Sequence, residues 1–438
     1  MITATPVIAH PPAPSGATPA ATKPGVTRQS VRQRHQRHVN RSFAKLAGVM
    51  NLPVEVRSSG CLVYDETGAA YLDCGGYGVF LMGHCHPRVV AAVKAQLERH
   101  PLSTRSLLNL EQVEAAETLL SVTPKGMQYA FFANSGAEAT EVGLKLARLN
   151  GKSKLIAMQG GYHGKTFGAL SVTARAHFQD PFRPLLPDVS FVTYGEPSAL
   201  EATLVEQGNE ACVILEPVQG EGGAVAPPLG YLRQVADLCK RYGALLIFDE
   251  IQSGLGRLGT WWGADRESIT PDIMLVGKGL SGGVVPVSAV VATAAAYEPL
   301  NKDFILHSST FAGSPLAMAA AKSAVEVIRD EHLVQRAGTL GDYLLSNLRA
   351  ILTEVCPQLV VDVRGVGLLI GVEFTSSDLA GEFMMKLLER RIIVAHSLNT
   401  HRVVRLTPPA LLTTEQCAWL FTAVYEAGDA MQKEASAG

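Results

Sequence analysis

The sequence lacks a disulfide framework, a long apolar segment and a strong net charge, and each absence excludes a class of protein. The seven cysteines are an odd number without a CxxC pair, which favours reduced thiols in the cytoplasm. The longest apolar runs, such as VVPVSAVVATAAAY, are interrupted and too short to span a bilayer. The formal net charge of −2 provides no field that would attract nucleic acid or an anionic membrane.

The N-terminal segment contains no aspartate or glutamate before Glu55. Residues 1–27 are rich in proline, alanine and threonine, which predicts a disordered tail. A cluster of arginines follows and predicts a basic helix near residues 28–41. An arginine-rich leader without acids also fits an organellar transit peptide, which stays open as an alternative, whereas the apolar core of a secretory signal is missing.

Short apolar segments alternate with helical patterns from about residue 127 to residue 291. Strands are predicted at QYAFFA, KLIAMQG, SFVTYG, ACVILEP, ALLIFDE, DIMLVGK and VSAVVAT. Helices are predicted at AEATEVGLKLARLN and at GYLRQVADLCKRYG, which ends at Gly243. This alternation is typical of an α/β fold whose mostly parallel sheet is covered on both faces, and the ligands of such sheets bind beyond the carboxyl ends of the strands.

The chain is long enough for two or three domains, and its pattern changes toward both ends. CLVYDETGAAYLDC predicts a β-hairpin with a polar turn at DETG, and LVVDVRGVGLLIGVEF predicts two strands joined by a turn. We therefore expect residues 28–100 to form an N-terminal segment and part of a small domain. Residues 101–330 are expected to form the large domain, and residues 331–438 a C-terminal small α+β domain.

Three ionisable residues follow neighbouring predicted strands: Glu216, Asp249 and Lys278. On a parallel sheet, all three lie at the same edge. Each of them alone is more often a solvated strand end than a catalyst. The combination indicates a site, because Gly277 and Gly279 on either side of the lysine leave room for a bulky group beside its amine.

A lysine in this position is a candidate nucleophile, since a desolvated amine forms an imine with an aldehyde. The best-known such aldehyde is pyridoxal phosphate, whose ring nitrogen is kept protonated by a carboxylate so that the ring can accept electrons. Asp249 suits this role, and we expect its neighbour Glu250 to point the other way.

The phosphate of that cofactor requires an anion-binding turn, and FFANSGAEATE offers one where a strand meets a helix. Ser135 would add a hydroxyl donor there, although an ordinary helix N-cap is the competing interpretation. Ser309 and Thr310 form a second candidate phosphate contact. Tyr162 offers an aromatic face for the ring or is an ordinary loop aromatic, and His163 beside it is equally ambiguous.

Six motifs occur in the order and at the spacing of the class III pyridoxal-phosphate aminotransferases: NSGAEATE, GGYHGKT, LEPVQGEGG, FDEIQSGLGRLG, VGKGLSGGVVP and HSSTFAGSPLA. The chain resembles this family, which includes ornithine, acetylornithine, 4-aminobutyrate and putrescine aminotransferases, over about residues 35–430. YLDCGGYGVFLMGHCHP and RIIVAHSLNTHRVVRLTPPALLTTEQC are similar to the putrescine branch. The resemblance implies fold type I, with a large domain around a mostly parallel sheet and a small α+β domain built from both chain ends.

The resemblance also implies roles for the cofactor-binding residues. Lys278 matches the Schiff-base lysine, Asp249 the pyridinium partner, and Gln252 the donor near the phenolic oxygen of the cofactor. Tyr162 matches the aromatic residue that stacks on the ring, and His163 is its loop neighbour. The residues that match the phosphate-binding groups are Ser135, Gly136, Ala137 and Thr310, which lies beside Ser309.

Three matches concern the substrate and the partner subunit. Arg405 matches the arginine that binds a substrate carboxylate, and Glu216 matches the glutamate that neutralises this arginine when an amine without a nearby carboxylate enters. Thr310 matches a threonine that reaches the phosphate of the neighbouring subunit, which implies a homodimer with shared sites. The sequence departs from the family pattern at Tyr162, where phenylalanine is usual. It also has Ala312-Gly313-Ser314 where Gly-Gly-Asn is usual, and Ser281-Gly282-Gly283 where three glycines are usual.

We expect an ω-aminotransferase that moves an amino group between a terminal amine, such as putrescine or an ω-amino acid, and a 2-oxo acid, such as 2-oxoglutarate or pyruvate, by a ping-pong mechanism. The alternatives are a biosynthetic enzyme that aminates a pathway aldehyde with glutamate as donor, and an aminomutase or epimerase with the same cofactor. A cofactor-binding regulatory module is disfavoured because no helix-turn-helix segment is evident. The expected protein is a cytoplasmic homodimer with small-molecule substrates and without nucleic-acid or membrane partners.

Overall fold

The computed structural model describes residues 26–437, apart from the side chain of the last of these. The predicted disordered tail, residues 1–27, lies outside the described residues except for Val26 and Thr27, and Thr27 caps the first helix. The helices are α1 Arg28–His38, α2 Arg41–Val49, α3 Pro87–Arg99, α4 Leu110–Leu120, α5 Gly136–Leu149, α6 Phe167–Ser171, α7 Ala176–Gln179, α8 Pro197–Gln207, α9 Tyr231–Tyr242, α10 Ala294–Lys302, α11 Pro315–Asp330, α12 Leu333–Val355, α13 Ser377–Glu389 and α14 Thr414–Ala437.

The strands form three sheets. Their bounds are β1 Glu55–Ser59, β2 Leu62–Asp65, β3 Ala70–Asp73, β4 Met127–Ala133, β5 Lys154–Met158, β6 Val189–Val192, β7 Ala211–Leu215, β8 Leu245–Asp249, β9 Ile273–Val276, β10 Ser288–Thr293, β11 Val360–Val366, β12 Leu369–Phe374, β13 Ile392–Ile393, β14 Ala395–His396 and β15 Val403–Leu406. The sheet orders are β1-β2-β3-β13, β4-β10-β9-β8-β7-β5-β6 and β11-β12-β15-β14.

The central sheet is mostly parallel, as the sequence predicts. Strands β6, β5, β7, β8 and β9 run parallel to one another, whereas β10 is antiparallel to both β9 and β4. The reversal of β10 follows from its connection: only the short segment after β9 joins the two strands, and a parallel return would require a longer crossover. Along β8 the side chains alternate between two core layers, with Leu246 in one and Ile247 in the other, so both faces of the sheet are buried.

Both chain ends contribute to the smaller sheets. The predicted hairpin at residues 61–74 is confirmed, because β2 and β3 pair antiparallel with Val63 opposite Tyr71. In the same sheet, Ile392 of β13 pairs with Leu72 of β3, so the C-terminal part of the chain completes a sheet that the N-terminal part begins. β11 and β12 form the second predicted hairpin.

The remaining predictions about organisation have simple outcomes. The basic segment forms two helices, α1 and α2, separated by Asn40, whose side chain caps α2. Helix α9 ends at Tyr242 and is capped, as predicted, by Gly243, which has a φ of 68°. The predicted domain boundaries near residues 100 and 330 fall in the loops before α4 and after α11 and stay predictions. Within residues 26–437, no helix is both long and apolar enough to cross a membrane.

Candidate active site

The central sheet brings the three predicted strand-end residues to one edge. Glu216 directly follows β7, Asp249 is the last residue of β8, and Lys278 lies just after β9. These three strands are adjacent, parallel and fully buried, so their carboxyl ends meet at the same place. Glu216 and Asp249 are themselves buried, which separates them from the solvated strand ends that were the competing interpretation.

Lys278 occupies an unusual position in the backbone. Its φ is 43°, in the left-handed region that a residue with a side chain seldom adopts, and such strain is concentrated at functional sites. Its Nζ donates a hydrogen bond to Oε1 of Gln252 at 2.6 Å. Burial lowers the pKa of Lys278 from 10.5 to about 8, although Glu221 and the other nearby carboxylates oppose the change. The neutral, nucleophilic form of the amine is therefore reached at a lower pH than for a lysine in solvent.

The carboxylate of Asp249 is held by a histidine that the sequence left ambiguous. Nδ1 of His163 lies 2.7 Å from Oδ2 of Asp249, and the amide of Ile251 donates to Oδ1 at 3.0 Å. The Nε2 atom of His163 is buried without a hydrogen-bond partner among the described residues. The prediction for Glu250 is confirmed: it points the other way, and its carboxylate accepts hydrogen bonds from the amides of Gly263 and Ala264.

The predicted phosphate-binding turn lies beside the lysine. Ser135 caps α5 by accepting a hydrogen bond from the amide of Glu138, and Gly136 begins the helix. Ser135 and Gly136 line a cavity of about 340 Å³ together with Lys278 and several apolar side chains. The N-terminal end of a helix of this length therefore faces the same space as the reactive amine.

Ser309 approaches this turn, whereas Thr310 lies on the surface. The side-chain amide of Asn134 donates to the hydroxyl of Ser309 at 3.0 Å, which ties the 309–310 loop to the turn before α5. Thr310 and the adjacent Phe311 are exposed. Thr310 is therefore available for a contact outside its own subunit.

Glu216 joins two loops of the site. Its Oε1 accepts the amide of Tyr162 at 2.9 Å, and its Oε2 accepts the amide of Gly220 at 3.0 Å. Burial raises the pKa of Glu216 to about 7, with Asp249 adding to the shift and His163 opposing it. The side chain thus fixes the backbone on which Tyr162 stands.

Arg405 is paired with a glutamate other than the predicted one. Arg405, on β15, is fully buried, and its Nη1 lies 2.6 Å from Oε1 of Glu221. The pairing predicted between Glu216 and Arg405 is not seen in this structure, in which both oxygens of Glu216 accept backbone amides. Because the prediction concerns the state with an amine bound, it stays a prediction. Sequence reasoning missed Glu221, although it stands in the quoted motif LEPVQGEGG as a second glutamate on the turn after β7.

The guanidinium of Arg405 has unused hydrogen-bonding capacity. Despite the short distance to Glu221, its nitrogens make no well-aligned hydrogen bond within the part of the chain that the structure describes. Five N–H donors at a buried site are costly to leave without acceptors. The ion pair with Glu221 compensates the charge, and the remaining donors are free for a planar anion such as a carboxylate.

These residues fit the cofactor that the sequence predicts. Pyridoxal phosphate requires an amine, a carboxylate for its ring nitrogen and an anion-binding turn, and the structure brings Lys278, Asp249 and the Ser135 turn to one sheet edge. The buried Nε2 of Gln252 has no partner among residues 26–437, so a donor is left over beside the lysine. The side-chain amide of Gln252 and the carboxylate of Asp249 are the groups that such a cofactor would use.

Comparison with known proteins identifies the family of the chain. Residues 44–427 match the family Aminotransferase class-III. The chain is 43% identical over 390 residues to a putrescine aminotransferase from Pectobacterium atrosepticum, covering 87% of this chain and 82% of that protein. An ornithine aminotransferase from Toxoplasma gondii, with partial occupancy of pyridoxal phosphate at its active site, is 33% identical and superposes with a TM-score of 0.83, over 93% of this chain and 99% of the other.

A second solved structure extends the likeness. The ω-transaminase from Pseudomonas jessenii in complex with PMP is 26% identical, with a TM-score of 0.83 over 90% of this chain and 96% of the other. The family match spans most of the chain, and the identity with the protein from Pectobacterium is high enough to establish membership of the same family. The chain therefore belongs to the class-III aminotransferase family and is a pyridoxal-phosphate-dependent transaminase of fold type I.

Proposed function

We propose that this enzyme is an ω-aminotransferase that moves an amino group from a terminal amine to a 2-oxo acid. Putrescine is the first candidate donor, because a protein with 43% identity is a putrescine aminotransferase. Other diamines and ω-amino acids are further candidates, and 2-oxoglutarate or pyruvate is the acceptor. The likeness to an ornithine aminotransferase and to an ω-transaminase supports the same class of donor.

The observation that carries this proposal is the buried ion pair of Arg405 and Glu221. A ping-pong transaminase must accept an amine without a carboxylate beside it in one half-reaction and a 2-oxo acid in the other. Arg405 would bind the carboxylate of the oxo acid, and Glu221 would compensate its charge when the amine is bound. A buried guanidinium without an anion in either half-reaction would be strongly unfavourable, so an exchangeable partner solves the problem.

The strand-end residues would serve both half-reactions. Bound pyridoxal phosphate supplies an electron sink for the substrate carbon that loses its proton. Lys278 would take that proton on Nζ and deliver it on the cofactor side of the transferred nitrogen, and its pKa near 8 suits both tasks. Asp249 would hold the ring nitrogen in its protonated state, with His163 keeping the carboxylate in place.

The remaining predicted residues would bind and orient the cofactor. Gln252, already bonded to Lys278, would lie near the phenolic oxygen, and Tyr162 would cover the ring face. The residues proposed to hold the phosphate are Ser135, Gly136, Ala137, Ser309 and, from a second subunit, Thr310.

We infer that a second copy of the chain completes the site. Several large apolar side chains near Thr310 in the sequence and in the loop before α4 are exposed in the single chain: Leu107, Leu108, Phe304, Ile305 and Phe311. Apolar surface of this extent on one molecule is typical of a subunit interface, and twofold dimers are the commonest assembly. All seven cysteines are unpaired, six of them buried, which supports a cytoplasmic location.

The donor can be identified by stopped-flow absorbance of the holoenzyme mixed with single amines and amino acids, without any oxo acid. We expect putrescine or a related terminal amine, and also glutamate, to abolish the absorbance of the resting cofactor in a single turnover. Steady turnover of one amino compound without an oxo acid would instead favour an aminomutase or epimerase. Conversion by glutamate alone, with a pathway aldehyde as acceptor, would favour the biosynthetic alternative.

The shared site can be tested by mixing two inactive or weakened variants. Lys278→Ala and Thr310→Ala subunits, when dissociated and reassociated together, should regain activity above the sum of the separate variants, because one composite site of each mixed dimer is intact. Sedimentation at the assay concentration provides the assembly state. An active monomer, or mixing without any gain, would contradict the composite site.

A further inference from the structure

Residues 397–401, in the loop between β14 and β15, hold Glu221 at two points. The amide of Leu398 donates to Oε2 of Glu221 at 2.8 Å. The amide of Asn399 donates to the backbone carbonyl of Glu221 at 3.0 Å. The partner of Arg405 is thus fixed by a segment that carries none of the predicted catalytic residues.

The same loop is tied to the cofactor side of the site through the Asn399 side chain. Its Nδ2 donates to the carbonyls of Gly160 and Gly161, at 2.8 and 2.9 Å. These two glycines directly precede Tyr162 and His163. Asn399 therefore connects the loop that holds Glu221 to the loop that carries the partner of Asp249.

The segment after Glu221 is confined between the two loops. Besides the nearer side chains of Gln219 and Arg364, a Cβ on Gly222 would lie 3.0 Å from the carbonyl oxygen of Gly160, and a Cβ on Gly223 would lie 3.2 Å from Cγ2 of Thr400. Both distances are shorter than ordinary van der Waals contact, so the backbone there has little room to shift. The freedom of Glu221 to leave Arg405 accordingly depends on how firmly residues 397–401 are held.

We propose that Asn399 is a positioning residue that sets the balance between the two half-reactions. Its hydrogen bonds to Gly160 and Gly161 fix the loop that holds Glu221 against Arg405. The proposal rests on the function proposed above, in which Glu221 compensates Arg405 only while an amine is bound. When this loop is firmly held, the ion pair of Arg405 and Glu221 is stabilised, which favours the amine. When this loop is loosely held, displacing Glu221 from Arg405 costs less free energy, which favours a substrate that carries its own carboxylate.

The test compares Asn399→Ala with Asn150→Ala as a matched control. The Asn150 amide also donates to two backbone carbonyls, those of Leu146 and Ala296, but it lies at the end of α5 away from the site. Single-turnover rates and apparent dissociation constants are measured on each holoenzyme with putrescine and, separately, with L-glutamate. Asn399→Leu, which keeps the branched shape of the side chain and lacks both donors, replaces the alanine variant if the latter does not fold.

We expect Asn399→Ala to lower the efficiency of the putrescine half-reaction about threefold to tenfold, the range for losing one or two hydrogen bonds. The glutamate half-reaction should stay at the wild-type level or improve, and Asn150→Ala should leave the ratio of the two unchanged. Equal losses in both half-reactions of the Asn399 variants would show a merely structural role and overturn the proposal.

Arg405→Ala separates this outcome from a failure of the proposed function. If Arg405→Ala retains a wild-type glutamate half-reaction, the assignment of Arg405 itself is wrong. If Arg405→Ala loses that half-reaction while Asn399→Ala leaves the ratio unchanged, only the role of Asn399 is wrong.

Discussion

The two halves of the active site are constructed in different ways. The half with Lys278 and Asp249 stands at the carboxyl ends of the adjacent strands β9 and β8, whose backbone hydrogen bonds to the neighbouring strands fix the edge of the buried central sheet. The half with Arg405 and Glu221 combines a strand of a smaller sheet with a turn after β7, and residues 397–401 fasten that turn. The first half is placed by the core, and the second by contacts between loops.

This difference matches what each half must do. The same chemistry at the substrate carbon occurs in both half-reactions, so a rigid placement of Lys278 and Asp249 serves both. In the proposed function, the carboxylate partner of Arg405 changes between the amine and the 2-oxo acid half-reactions, and a group held by loops can exchange at a modest cost. Changes in the first half should therefore affect both substrates alike, and changes in the second should separate them.

The largest effect is expected from Lys278→Ala, which removes the amine that both half-reactions use. Turnover should be abolished, and borohydride reduction followed by peptide mass spectrometry should no longer find the cofactor on the chain. Lys152→Ala is the control, because this lysine donates to the carbonyls of Asn209 and Gly243 at a different part of the surface. Cofactor trapped on another lysine would refute the assignment of Lys278.

The next largest effect is expected from Asp249→Asn. The amide keeps the shape but not the charge that holds the ring nitrogen protonated, so kcat should fall by several orders of magnitude for amine and glutamate alike. Glu250→Gln is the matched control, since this carboxylate is equally buried but bonded to Gly263 and Ala264. It should lower the melting temperature and spare the chemistry. Near-normal activity of Asp249→Asn would mean that another residue holds the ring.

Arg405→Ala should separate the substrates. Losing a buried, charge-assisted contact should raise the activation free energy of the half-reaction with glutamate or the 2-oxo acid by about 2–4 kcal/mol. The amine half-reaction should suffer much less, because the amine offers no carboxylate to the arginine. Separate single-turnover measurements provide both values. Equal losses with both substrates would indicate that Arg405 only supports the fold.

A smaller effect concerns the pH dependence of cofactor attachment. Because the pKa of Lys278 is lowered to about 8, the amine is protonated and unreactive below that pH and neutral above it. Recombination of apoenzyme with pyridoxal phosphate should rise about tenfold per pH unit below the pKa and level off above it. The rate can be followed by absorbance from about pH 6 to about pH 10. A rise that continues to the ordinary lysine value of 10.5 would contradict the burial effect.

The strand-end half of the site was largely predictable from the sequence. Apolar runs that end in Glu216, Asp249 and Lys278 predict both the strands and the edge at which these residues meet. The arginine half was less predictable, because a motif with two glutamates does not say which one faces β15. The choice of Glu221 depends on the backbone amides that occupy Glu216.

Contacts over long distances along the chain left no signal that could be read from the sequence. Arg257 is buried and donates to the carbonyls of Gly78 and Pro408, which belong to opposite ends of the chain. Burial lowers the pKa of Arg257 to about 9, yet its position in the motif FDEIQSGLGRLG suggests only a loop residue. The link from Asn399 to Gly160 and Gly161 is of the same kind.

The most direct test of the division into two halves compares Glu216→Gln with Glu221→Gln. Both changes remove one buried carboxylate on the turn after β7, and single-turnover rates with putrescine and with L-glutamate are measured for each. We expect Glu221→Gln to slow the putrescine half-reaction and spare the glutamate one, because an amide cannot compensate Arg405. Glu216→Gln should slow both by similar factors, since it holds the backbone of Tyr162 and Gly220. The reverse pattern, with Glu216→Gln alone shifting the ratio, would contradict the pairing of Arg405 with Glu221.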